Sequence, residues 1–359
     1  MNLEKQSEFK IGSIPVGEDH PVFTIAEVGL AHDGSLGAAH AYIDAAAEIG
    51  ATAIKFQTHI ADAESSKYEQ FRVRVFPQDE SRTDYWNRTA FNLKQWQELA
   101  QHSRDKNLAF LSSPFSEEAV ELLEKCDVAA WKVASGEVDN LPLLKKMAET
   151  GKPILISSGM SSWAELDKTV QYLNSLDCSY GIFQCTTSYP CSPDGWGLNV
   201  IDQMRKRYAC PVGLSDHSGT VTPSIAATVL GASMLEFHVA FSHLQFGPDT
   251  LASLTFEDAA MLMKSLRELE IAKKNPTDKD EAAASRVDVK KLFSKSLFAA
   301  EKLEVGTVLS SSNVRILKPH IGIPASDYET VLGSLVTREI ESGEPIEFDS
   351  ISRASGSEK

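Results

Sequence analysis

From about residue 20 to residue 272, short runs of β-branched and aromatic residues alternate with longer stretches whose apolar residues recur every three or four positions. Such alternation marks strand–helix units of a parallel sheet, because a chain returning to start a parallel strand needs a crossover, usually a helix. Eight units can be counted. Strands are expected over 22–29, 53–57, 109–112, 130–134, 153–157, 180–185, 211–214 and 234–238. Helices are expected over 36–49, 93–106, 117–125, 141–149, 164–176, 223–230 and 256–271, with Gly50, Gly151 and Gly231 as stops and the faintest helical pattern near 198–207. Eight units in about 250 residues fit a (β/α)8 TIM barrel, an α/β fold whose active site lies at the C-terminal ends of the strands.

Those strand ends carry polar residues in every unit. In chain order they are Glu27, Lys55 with Gln57, Ser112 with Ser113, Lys132 with Ser135 and Glu137, Ser158, Thr186 to Ser188, Ser215 to His217, and Glu236 with His238. Any one of them alone reads as an ordinary loop polar group. Eight together point to a site. His217 and His238 each close a short apolar run one strand-plus-helix interval apart, a pattern that can hold a divalent ion while leaving positions open for substrate. A single histidine on an apolar face is more often a core residue. The segment 62–88 is long, charged and aromatic without an evident strand or helix, and is expected to be a loop covering the substrate.

Residues 273–287 are rich in Lys, Asp, Ala and Ser and read as a linker. The texture then changes to strand-like pieces at 293–299, 308–309, 314–317 and 345–348, separated by glycines, as in a small β-rich domain. The expected order is therefore an N-terminal segment, 1–20; a barrel, 21–273; a linker, 274–294; a β-rich domain, 295–352; and a tail, 353–359.

Composition removes several classes of function. No apolar run approaches the length of a membrane helix, and the charged start Met1-Asn2-Leu3-Glu4-Lys5-Gln6 lacks a signal-like apolar core, so a cytoplasmic location is expected. A net charge of −15 argues against nucleic acid and anionic membranes as partners. The five cysteines have no C-x-x-C spacing and suggest reduced thiols rather than a disulfide framework.

Seven segments in order carry a more specific signal: Ile25-Ala26-Glu27-Val28-Gly29, Lys55-Phe56-Gln57, Lys132-Val133-Ala134-Ser135-Gly136-Glu137, Ser158-Gly159-Met160, Cys185-Thr186-Thr187-Ser188-Tyr189-Pro190, Gly213-Leu214-Ser215-Asp216-His217 and Gly247-Pro248-Asp249. With them the chain resembles the sialic acid synthases, which join phosphoenolpyruvate to an N-acylated amino sugar to make a nonulosonic acid for surface polysaccharide. The resemblance spans nearly the whole chain. It implies a barrel followed by an antifreeze-like (SAF) domain, and a domain-swapped homodimer in which that domain caps the partner's active site. Position by position, it implies His217 and His238 as metal ligands for Mn²⁺, with Mg²⁺ or Co²⁺ as substitutes. It places Lys55, Lys132, Ser135, Ser158, Asn199 and Ser215 around the phosphate and carboxylate of phosphoenolpyruvate, Lys132 counting among the catalytic groups. Glu27, Glu137 and Asp249 become acid–base or sugar-orienting groups, and Gln57 and Tyr189 sugar contacts.

Lysines beside a dianionic phosphate are expected to stay protonated as electrostatic clamps, which separates such a synthase from a Schiff-base aldolase needing one desolvated lysine. The chain also departs from the family pattern. Ala31 stands where Asn is usual, Phe237 for Lys, Thr250 for His, Gln184 for His, and Lys318 for an Arg near the start of the antifreeze-like segment. Lysine cannot make the bidentate contact of an arginine. The acceptor therefore stays open between an N-acylated hexosamine, a di-N-acetylated dideoxyhexose of the legionaminic or pseudaminic type, and a neutral hexose. A catalytically silent sugar-binding protein is the alternative from another class.

Overall fold

The computed structural model describes residues 7–352; residues 1–6 of the N-terminal segment and the expected tail 353–359 lie outside the described residues. An antiparallel hairpin, β1 (Glu8–Ile11) and β2 (Ile14–Gly17), comes first. Eight parallel strands follow: β3 (Phe23–Gly29), β4 (Ala53–Thr58), β5 (Ala109–Pro114), β6 (Trp131–Val133), β7 (Ile154–Ser157), β8 (Tyr180–Cys185), β9 (Val212–Asp216) and β10 (Met234–Ala240). Each pairs with the next, and β10 pairs with both β9 and β3, so the sheet closes into a (β/α)8 barrel. The expected strands are all present, their ends displaced by at most two residues. The helix that was faintest in the sequence is Leu198–Tyr208.

Strand periodicity sorts the side chains. On β3, Ala26 and Val28 join the outer core against the surrounding helices, while Phe23 and Ile25 point to the barrel axis. The lower axis is apolar: Phe23, Ile25, Ala53, Leu111, Ala130, Leu155, Phe183 and Met234 pack with Phe9, Ile11 and Val16 of the hairpin, which thus plugs the N-terminal end of the barrel. One register step higher the same inward positions become Glu27, Lys55, Lys132, Ser215 and Glu236. The interior therefore changes from oil to charge about halfway up.

The segment 62–88 differs from its expectation. It contains two helices, Ala61–Glu64 and Arg82–Thr89, the second opened by a capping box in which Ser81 and Asp84 satisfy each other's backbone N–H. Tyr85 and Trp86 from this helix pack with Ala61, Leu30, Phe71 and Phe76 in a small core of their own. Arg88 pins the segment's end by pairing with Asp79 at 2.7 Å and Asp33 at 2.6 Å.

A second unit begins at Asn275. Where composition suggested an open linker there are two short helices, Lys279–Ala284 and Val287–Phe293, preceding the β-rich part. The strands Ser296–Ala299 and Val314–Leu317 pair antiparallel, as do Leu335–Val336 and Ile351–Ser352, around a core that includes Leu297, Leu303, Leu309, Ile323, Val336 and Ile346. The strand expected at 345–348 is reduced to a single bridge from Pro345 to Phe298 before a 3-10 turn at Phe348–Ser350.

Close packing on the barrel axis depends on glycine. A Cβ at Gly213 would lie 2.4 Å from the Met234 carbonyl oxygen and 2.8 Å from the Phe183 ring. The variant Gly213→Ala is expected to lose about 1–3 kcal/mol of stability by overpacking; an unchanged denaturation midpoint would show that the axis tolerates the added methyl.

Candidate active site

At the C-terminal mouth of the barrel lies a cavity of about 340 Å³. Its floor is ionic. Lys55 on β4 places Nζ 2.8 Å from Glu27 Oε2 of β3 and 3.6 Å from Glu236 Oε1 of β10. The Lys132 Nζ of β6 sits 3.8 Å from Glu236 Oε2 and donates to Ser157 Oγ at 2.5 Å. Lys55 also donates to Ser113 Oγ, and Ser215 Oγ donates to Glu236 Oε1. All four charged side chains are at most 4 % exposed.

Burial at this depth opposes every one of these charges, so the neighbours decide. For Lys55, burial is the largest effect, but the Glu236 and Glu27 carboxylates outweigh it and its pKa is raised. For Glu236, burial is outweighed by Lys132 and Lys55, and the carboxyl is held below its usual range. Lys132 goes the other way: burial dominates, Glu236 compensates only in part, Lys55 adds repulsion, and the pKa falls. The expectation that neither lysine would be desolvated is therefore corrected for Lys132. The serines around it are themselves buried and supply no bulk water.

Two imidazoles stand on the wall above. The ring centroids of His217 and His238 are 5.1 Å apart. His217 Nδ1–H donates to the Thr186 carbonyl at 2.8 Å, which leaves the Nε2 lone pair available, and burial with the nearby His238 lowers its pKa to about 3. A neutral ring with one nitrogen tied to a carbonyl, as in His217, suits metal ligation. Among the described residues no cluster of three or more His, Cys, Asp or Glu is arranged to hold a metal. These residues fit an ion held by two protein ligands, with its remaining positions for water or substrate.

The wall facing the 62–88 segment is aromatic and basic. Tyr189 stacks on His217 with centroids 4.1 Å apart, and the Arg72 guanidinium lies 3.9 Å above the Tyr189 ring. Arg72 also pairs with Asp249 Oδ1 at 2.5 Å, fastening the segment to the barrel mouth. Arg82, Tyr85 and Trp86 complete this side, and the Tyr85 hydroxyl is buried without a hydrogen-bond partner. The expected covering loop thus lines the cavity as a folded flap.

Of the residues singled out in the sequence, Glu27, Lys55, Gln57, Lys132, Ser135, Tyr189, Ser215, His217, His238 and Asp249 meet in this one cavity. Four do not. Ser158 turns outward and donates to the Phe183 carbonyl, while its neighbour Ser157 faces Lys132. Asn199 is exposed in the first turn of its helix. Glu137 accepts from Asn140 beside the cavity rather than in its wall, and burial raises its pKa. Lys318, in the second unit, lies over the Phe293 ring. Sequence reasoning passed over Ser113, Ser157 and Cys185 as site residues and gave no role to Glu236, although Glu236 stands two residues before His238 on a strand and must share its face.

Comparison with known proteins agrees with this geometry. The model of the NeuB family matches residues 42–278, and that of the SAF domain matches residues 294–352. The chain is 32% identical to the N,N'-diacetyllegionaminic acid synthase of Campylobacter jejuni over 90% of this chain and 98% of that protein. It is also 32% identical to human N-acetylneuraminate-9-phosphate synthase, covering 92% of this chain and 93% of that one. Among solved structures, the N-acetylneuraminic acid synthetase of Leptospira borgpetersenii in complex with citrate superposes with a TM-score of 0.69 at 27% identity, covering 79% of this chain and 96% of that one.

The two-imidazole wall gives a direct test. Removing both rings in the variant His217→Ala with His238→Ala is expected to weaken Mn²⁺ binding on the order of 100-fold or more in a calorimetric titration. Undiminished uptake would place the metal elsewhere. With its barrel motifs, its charged mouth and its trailing β-rich unit, the chain belongs to the NeuB family and carries a SAF domain.

Proposed function

We propose that the protein is a nonulosonic acid synthase that condenses phosphoenolpyruvate with an N-acylated amino hexose, N-acetylmannosamine or a relative, and releases phosphate. The observation that carries this reading is the convergence of Lys55 and Lys132 with two carboxylates and two imidazoles in one cavity. A lysine pair at the bottom of a narrow barrel suits a small, multiply charged anion. The names of the two relatives support the product class and differ in the acceptor.

In this reading the phosphate and carboxylate of phosphoenolpyruvate lie against Lys55 and Lys132, with Ser113, Ser135, Ser157 and Ser215 as hydrogen-bonding neighbours. The incoming negative charge opposes the effect of burial on Lys132 and favours its ammonium form. C3 of the enol attacks the aldehyde carbon of the open-chain sugar, and positive charge develops at C2. Glu27, fixed between Lys55 and Gln57, takes a proton from the water that adds to C2; such general-base help is typically worth about 10²–10⁴-fold. Collapse of the tetrahedral centre breaks the C2–O bond: phosphate leaves with the electron pair of that bond and the proton of the C2 hydroxyl, and C2 becomes the ketone. The proton taken by Glu27 goes to the former aldehyde oxygen, which ends as a hydroxyl. A divalent cation, Mn²⁺ first with Mg²⁺ or Co²⁺ as substitutes, would be held by His217 and His238 and would polarise the aldehyde as a Lewis acid. The flap residues Arg72, Tyr85 and Trp86, with Tyr189 and Asp249, shape the acceptor side.

A homodimer, and contact of Lys318 with the acceptor across it, belong to the same proposal, as does a cytoplasmic location; no described helix is long and apolar enough to cross a membrane. Deleting residues 295–359 is expected to leave metal and phosphoenolpyruvate binding intact and to abolish turnover, and an active truncation would refute the capping role.

The burial of Lys132, which lowers its pKa, favours one second reading, a Schiff-base aldolase acting on pyruvate. Assay of phosphate release from phosphoenolpyruvate with Mn²⁺ and a panel of aldoses separates the possibilities. The proposal expects release dependent on both the aldose and the metal. Borohydride trapping of pyruvate on Lys132 would favour the aldolase, and no turnover with any sugar would favour a binding protein.

A further inference from the structure

One buried histidine has no part in the reaction as proposed. His59 follows β4 and its ring is held between two aromatic faces, Trp86 at 3.6 Å and 10° and Phe115 at 4.2 Å and 14°. Its edges are engaged as well: Nδ1 lies 2.6 Å from Glu64 Oε1, and Nε2 lies 3.3 Å from Gln57 Oε1. Beyond Gln57 the contacts continue, since Gln57 Nε2–H donates to Glu27 Oε1 at 3.2 Å and Lys55 meets the other Glu27 oxygen. Glu64 Oε2 accepts from the backbone N–H of Ile60. A line of hydrogen bonds thus runs from the flap helix Ala61–Glu64 to the carboxylate assigned as the water-activating base.

Such a line has a direction, and only one direction satisfies every member. Glu27 accepts, so Gln57 must turn its amide N–H₂ toward it and its carbonyl oxygen toward His59. That oxygen needs a donor, so His59 must carry its proton on Nε2. Nδ1 then shares one proton with Glu64 across the short contact, either accepting from a neutral carboxyl or, in an imidazolium, donating to a carboxylate. Burial opposes both charges and favours the neutral pair with the proton on Glu64. The surroundings agree: burial raises the Glu64 pKa to about 8 and lowers that of His59 to about 3. The charged and titratable groups facing this pair are Arg82 and Glu69 from the flap, His32 behind the His59 ring and Glu137 beside Glu64.

We infer that His59 is a positioning residue whose Nε2–H, fixed by the protonated Glu64 carboxyl, orients the Gln57 amide and thereby the Glu27 carboxylate. The inference rests on the synthase reading, because Glu27 is the base only there. When the shared proton is lost to solvent, Glu64 becomes a carboxylate and His59 moves its one remaining proton from Nε2 to Nδ1 to meet it. Nε2 is then an acceptor. The Gln57 amide must turn over, which sets its oxygen against Glu27 Oε1, and the base loses its fixed position.

Nitrogen-15 spectra of the full chain, labelled at histidine, test this without turnover, with His59 assigned by its absence in His59→Phe. At about pH 7 the wild type is expected to show the Nε2–H tautomer, changing to Nδ1–H by about pH 9.5. The variant Glu64→Gln, whose amide N–H can donate to Nδ1 at any pH, is expected to hold the Nε2–H form throughout. Nδ1–H in the wild type at about pH 7, or a Glu64→Gln variant that changes as the wild type does, would overturn the inference. In kinetics, His59→Phe keeps the aromatic stack and is expected to lower kcat on the order of 10- to 100-fold while leaving KM for phosphoenolpyruvate within about twofold. Unchanged kcat would also overturn the role. If the wild type itself releases no phosphate, the synthase reading fails while the spectra still decide the tautomer.

Discussion

Two lysine amines and two carboxylates closed inside a barrel are the constraint on which this molecule turns. Lys55, Lys132, Glu27 and Glu236 lie within 4 Å of one another in the pairs described and almost out of reach of solvent. A buried pair seldom stabilises a fold relative to apolar packing, and removing one partner costs about 3–5 kcal/mol because a lone charge is left behind. Strands filled with aliphatic side chains would make a sturdier barrel. The lower half of this one, sealed by Phe9, Ile11 and Val16, is built that way. The upper half gives up that stability for charged side chains held in fixed positions, which in the proposed synthase reading receive the anion with little reorganisation of the protein.

The rest of the site follows from this floor. Serines on β5, β7 and β9 each add one hydrogen bond, to Lys55, Lys132 and Glu236 respectively. The imidazoles stand one step higher, where a neutral ring is favoured by burial and by the carbonyl of Thr186. The flap then closes the open side with Arg72 on Tyr189 and Asp249, and it reaches the floor a second way through Glu64, His59 and Gln57. Flap and base are thereby coupled: a motion that moved Trp86 off His59 would also disturb Glu27.

Much of this was legible in the sequence because a strand has a period of two and a barrel has a defined active end. Counting by twos from Phe23 leads to Glu27, and from Met234 to Glu236 and His238, so fold and charged floor were both within reach. Glu236 stands at its strand end in the sequence, but its pairing with Lys55 and Lys132 depends on strands distant in the chain. Ser158 was preferred to Ser157 on the strength of its motif, whereas the parity of β7 puts Ser157 inward with Leu155. Asn199 stayed outside because the helix starting at Leu198 carries it to the surface. The flap helix was announced by Ser81 and Asp84, three residues apart, a capping signal hidden among many charges. Burial of Lys132 was not legible, since desolvation depends on neighbours from other strands, among them Lys55, Ser157, Cys185 and Glu236.

The claim beneath all of this is that the floor is a receptor for a dianion whose charge raises the proton affinity of Lys132. Calorimetric titration of phosphoenolpyruvate into the metal-free protein at about pH 9, in two buffers of different ionisation enthalpy, tests it directly. Saturable binding with net proton uptake, reduced in Lys132→Met, is the predicted result. Binding that leaves the proton count unchanged, or no binding at all, would contradict the account.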